Sequence, residues 1–165
     1  MQWRRKLTSF HQQSTLTKLL LLPAWLLTGF SRLMVLLLPF KLYAKRLGKH
    51  HGVAAFIPIL DSAQQQKALS IGRAVRMSAV MAPWNANCQA QAIAVRILFN
   101  IFSIPYSIHY GLSKDPESKL KAHAWVCAGP VQVTGGYGFD EFTVVAVFAN
   151  ASLPASLPRK GGVNT

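Results

Sequence analysis

Cys88 and His123 are the residues of this sequence best suited to covalent chemistry. The stretch MAPWNANCQAQAI, residues 81–93, leads a Pro-Trp pair and two Asn into Cys88, after which no helix breaker intervenes for several turns. Asn87 is a favourable N-cap, which puts Cys88 at the first helical position. There, unpaired N–H groups and the positive end of the helix dipole favour a thiolate. In KAHAWVCAG, residues 121–129, the two-residue period of a strand puts His123, Trp125 and Cys127 on one face. An imidazole held there and aimed at the thiol can take its proton and later protonate a leaving amine, which is nucleophilic cysteine catalysis. Trp125 would cover such a site. The Cys88 N–H and the side chains of Asn85 or Asn87 are the oxyanion donors within reach, although capping competes for Asn87. The pattern alone also permits a second reading, in which Cys88 is an ordinary buried cysteine.

The elements that must position this pair follow from local pattern. Residues 61–80 read as a helix capped by Asp61 or Ser62, with Ala68, Leu69, Ala74, Val75 and Val80 on its apolar face. Pro83 disfavours helix at Ala82, so Met81–Asn87 is a loop. The helix from Cys88 to about Phe102 is apolar around most of its circumference, and Ser103-Ile104-Pro105 stops it. Alternation then predicts strands at Ser107–Leu112, Ala122–Ala128, Val131–Thr134 and Phe142–Ala149, with a polar turn at Lys114–Lys119. Helices followed by antiparallel strands make an α+β domain.

Charge and hydropathy are uneven. The net charge is +13, and nine of the eighteen basic residues precede the first acid, Asp61. That bias favours anionic partners. Residues 19–40, LLLLPAWLLTGFSRLMVLLLPF, could span a bilayer by length. Pro23, Gly29 to Arg32 and Pro39 instead predict two shorter helices, packed on a partner or on the domain. An anionic membrane surface is a further partner for this segment. KLYAKRLGKHHG, residues 41–52, marks a boundary. The expected organisation is a basic, apolar helical segment over 1–52, a domain over 53–150 and a loose tail over 151–165.

Two cysteines are too few for a disulfide framework, and no small-x-small cleavage site follows the apolar run. A reducing, cytoplasmic setting is expected, with association to the inner membrane face as an option. Zinc bound by Cys88, His123 and Cys127 would lack the short paired spacings of structural sites, and His50, His51 or His109 would join it only through folding. The basic residues lack interleaved aromatics, which argues against nucleic acid as a partner. No cofactor is expected.

Three stretches carry a family resemblance: APWNANCQAQAIAVRILFNIFSIPYSIHYGLSK, LKAHAWVCAG and VTGGYGFDEFTVVAVFA. They resemble the transglutaminase-like cysteine proteases of lasso-peptide biosynthesis, the leader peptidases that are often the protease half of a split B protein. The resemblance covers about residues 70–150 and extends loosely to the Leu-rich, basic N-terminal segment. It implies a transglutaminase/papain-like core and removal of the leader from a precursor peptide. It also implies two partners: a small leader-recognition protein acting in trans, and an ATP-dependent, asparagine-synthetase-like cyclase. By position, Cys88 is the nucleophile and His123 the general base and acid. The family's third member is an Asp on the returning strand, yet VQVTGG, residues 131–136, holds no acid. Asp140 is then the candidate to orient His123, with Glu141 its competitor; an amide or a backbone carbonyl can also do this. Family members often have Glu where this chain has Cys127. Scaffolding without cleavage and acyl transfer by the same pair are the alternative activities.

Overall fold

The computed structural model describes residues 13–114, 119–136 and 141–150. Its elements are α1 (Thr15–Leu37), α2 (Phe40–Ala44), β1 (Lys49–His50), α3 (Ser62–Met81), α4 (Cys88–Ile101), β2 (Tyr106–Lys114), β3 (Leu120–Ala128), β4 (Val131–Thr134) and β5 (Thr143–Asn150). The strands form one antiparallel sheet in the order β1-β5-β2-β3-β4. The α+β architecture is as expected, with β1 added as a short edge strand. The polar turn at 114–119 lies mostly outside the described residues.

α4 packs against β2, β3 and β4, and α3 against α4 and β4. One sheet face, carrying Ile108, Ala124, Val126, Ala128 and Phe148, joins the core beneath α4. That core also takes Ile71 and Val75 from α3 and Ile93, Val95, Leu98 and Phe99 from α4. The opposite face carries Ser107, His109, Trp125, Cys127 and Val147, and the segment around Phe56 and Ile57 lies over it. In α3 the Asp61 carboxylate accepts from the Gln64 N–H at 2.7 Å, and the Gln64 side chain accepts from the Asp61 N–H, a complete capping box. Val80 departs from the expected apolar face: it is 83% exposed, because the buried stripe of α3 ends at Ser78.

Residues 15–37 form one continuous helix rather than two. Pro23 sits inside it, at an exposed position, and cannot donate a backbone bond to the preceding turn. The cost is offset on the opposite side, where Thr17, Leu20, Ala24, Thr28 and Ser31 are buried. The small ones among them, Thr17, Ala24, Thr28 and Ser31, let α1 lie close against α3, where Ser78 Oγ donates to the Leu21 carbonyl at 3.0 Å. Thr17 Oγ1 donates to the Ser70 carbonyl at 3.2 Å. Pro23→Ala therefore stabilises the protein by about 1–3 kcal/mol, seen as a rise in Tm on thermal unfolding. Pro39 does end the helix, and it precedes α2, whose Tyr43 is buried in the core with Leu47. The Tyr106 hydroxyl donates to the Leu47 carbonyl at 2.9 Å and ties this segment to β2.

Candidate active site

Asn87 caps α4 as its type predicts. Its Oδ1 accepts from the Ala90 N–H at 3.0 Å, so Cys88 is the first helical residue. That bond commits the Asn87 side chain to the helix and leaves Asn85 as the asparagine lining the cleft. The Cys88 N–H belongs to the first turn, whose donors have no intrahelical carbonyl. Gln91, which the sequence did not single out, also lines the cleft and donates to the Ala86 carbonyl at 2.8 Å, fastening the loop before the cysteine. Under the thiol lies a phenol cluster: Gln89 donates to the Tyr43 hydroxyl, and Tyr110 is near Cys88. Burial, with Tyr43 and Cys88 nearby, pushes the Tyr110 phenol far above its ordinary range, so it remains protonated.

Trp84 holds the loop from the other side. Its ring packs against Trp25 of α1 at 4.5 Å between centroids. A Cβ on Gly29 would come within 2.8 Å of the same indole, so only the bare backbone of α1 admits it. The N-terminal helix thus supports the loop that carries Cys88.

Cys88 and His123 line one cavity of about 500 Å³, together with Arg76, Trp84, Asn85 and Gly135 among others. β4 pairs only with Val126–Ala128 of β3. Among the described residues no strand pairs with the earlier half of β3 on that side, and the chain turns past His123 through Gly135 and Gly136. His123 Nε2 is 2.7 Å from the Gly135 carbonyl oxygen. A carbonyl only accepts, so Nε2 carries the proton and Nδ1 is the basic nitrogen of the neutral ring. The ring also lies 5.0 Å from Phe142 and 5.9 Å from Trp125.

The other expected site residues fall elsewhere. Trp125 does not roof the cleft: it is buried on the far face between His123 and His109, stacked on the latter at 5.4 Å and 7°. Cys127 lines a separate apolar cavity of about 340 Å³ with His109, Phe56 and Val147, so it does not share the cavity of Cys88 and His123. Among the described residues, no three of His, Cys, Asp or Glu gather as metal ligands would. Glu141 is exposed and does not line the cleft. Asp140 lies outside the described residues. Among the described residues, the group bonded to His123 is a main-chain oxygen, for which no side-chain pattern exists; the Gly-Gly after β4 is the trace it leaves in the sequence.

Burial alone holds the His109 pKa below its ordinary 6.5, and burial raises the Cys127 thiol, so both groups on the far face are neutral at pH 7. The sign for His109 is set by linkage. At pH values above 6.5 the imidazole is neutral whether the chain is folded or not. As pH falls through 6.5 toward the lower folded value, the unfolded chain takes up a proton that the folded chain resists, so stability falls. His109→Gln removes that loss, and unfolding midpoints of the two proteins converge as pH drops from neutral into the acid range.

A sequence model described as the transglutaminase-like superfamily matches residues 34–147, well over half of the chain and including Cys88 and His123. Comparison with curated proteins and with solved structures finds no match.

Proposed function

The chain belongs to the transglutaminase-like superfamily, and from that premise we propose that it is a cysteine peptidase that removes the leader from a lasso-peptide precursor. The observation that carries this reading is one cavity lined by Cys88, at the start of a helix, and by His123, whose Nδ1 is left basic by the Gly135 carbonyl. The superfamily supports acyl chemistry on a cysteine; the leader substrate rests on the likeness of the three sequence stretches.

In this mechanism His123 Nδ1 takes the Cys88 proton and the thiolate adds to the scissile carbonyl. First-turn N–H groups of α4 and the Asn85 amide are the donors for the oxyanion. The tetrahedral adduct collapses as the imidazolium gives its proton to the departing core amine, and the C–N bond breaks. A thioester to the leader remains. Water, deprotonated by His123, attacks it and releases the leader carboxylate and the free thiol. A partner cyclase then consumes ATP to join the freed amine to a side-chain carboxylate of the core. A small recognition protein presents the leader in trans.

The test mixes the full chain with the precursor peptide and recognition protein encoded beside it and follows products by mass spectrometry. Hydrolysis yields a free leader and a free core. If the acyl group passes to an amine, the leader appears with that amine's added mass and the activity is acyl transfer. No conversion by the folded protein with all partners present removes the peptidase reading and favours a scaffold.

A further inference from the structure

The outward face of α1 is apolar along its whole length. Leu19, Leu22, Leu26, Phe30, Leu33 and Leu37 recur at spacings of three and four and are each between 54% and 70% exposed. At 1.5 Å per residue the stripe runs for about 27 Å. Monomers rarely leave so long an apolar surface to water. The cations nearby are what select its occupant. Lys18 and Arg32 stand on α1 beside the stripe, and Lys41, Lys45, Arg46 and Lys49 follow directly after it, while no acid occurs before Asp61.

We propose that this face docks the protein on an anionic phospholipid surface, with α1 lying in the interface plane. The leucines and Phe30 enter the boundary between headgroups and acyl chains, and the long cationic side chains reach lipid phosphates. A second copy is disfavoured, because its equal positive charge would face this one. α1 is long and apolar enough to cross a bilayer, but its other face is packed along α3 and α4. Crossing would either strip that face or draw the exposed Lys67 and Arg73 of α3 into hydrocarbon. Gly29, one turn from both Leu26 and Leu33, supports Trp84, which lines the cleft, so the docking face borders the cleft.

The experiment is co-flotation of the full chain with phosphatidylcholine vesicles and with mixed phosphatidylcholine–phosphatidylglycerol vesicles, at low and high salt. The protein floats with the anionic vesicles, much less with the neutral ones, and salt weakens the association. Leu26→Gln with Leu33→Gln lowers the partition at least about tenfold, and its melting curve stays near wild type because both positions are exposed. Arg32→Gln lowers it roughly fivefold. Three results overturn the proposal. Equal binding to both vesicle types without salt dependence removes the anionic lipid. Retention through an alkaline carbonate wash shows a spanning helix. Failure to float, with self-association that the double variant abolishes, makes the stripe a protein–protein interface.

Discussion

Cys88→Ala yields a folded protein whose leader cleavage falls by at least about 10⁴-fold, because no other group in the cleft can form the thioester. The fold tolerates the change for local reasons. Ala is the best helix former, the cap at Asn87 does not use the thiol, and Cys88 is only partly buried at the edge of the core. His123→Ala loses about as much, and the double variant loses no more than either single one, since thiol and imidazole act as one unit. Cleavage is read by product mass and folding by circular dichroism and Tm. Undiminished cleavage by folded Cys88→Ala would place the chemistry elsewhere.

The second large effect comes from a residue with no side chain. Gly135 has φ +102°, a conformation L residues avoid, and an added Cβ would lie 2.3 Å from Trp125 Cβ and 2.8 Å from its Cα. The Cα cannot yield without moving β3. In Gly135→Ala the turn itself shifts, and its carbonyl leaves His123 Nε2. The ring is then free to flip or to place its proton on Nδ1, the atom needed as base. We expect kcat to fall about 10²-fold or more while KM changes little. Stability drops as well, by roughly 1–3 kcal/mol. Nitrogen-15 shifts of the His123 ring separate the two effects. The neutral ring of wild type shows the proton on Nε2, and that of the variant shows a mixture even well below its melting temperature. Wild-type tautomer with wild-type kcat in the variant would mean that another group orients the imidazole.

Signals that act over a few residues were legible in the chain. Asn87 announces the start of α4 because an N-cap bond spans three residues, and the break before Pro83 is a steric effect on the preceding residue. Alternation from His123 to Cys127 assigned the strand face correctly, since the pleat has a period of two. The charge imbalance ahead of Asp61 is read by counting. The continuity of α1 through Pro23 was not legible. Proline's penalty is local, whereas the burial of Leu20, Ala24 and Thr28 that offsets it is supplied by α3 and α4. Nor could pattern separate Cys127 from the cleft: it shares a sheet face with His123, and among the described residues the short β4 and the interposed Trp125 divide that face into two cavities. Among the described residues, the hydrogen-bond partner of His123 lay furthest from view. It is a backbone carbonyl, identical in every residue type, and its position depends on where β4 ends and how Gly135 turns. Residue types and spacings determined which groups could react and how each begins its helix or strand. Tertiary packing decided which of them meet, because contacts between distant segments depend on the register and ends of strands that no local period encodes.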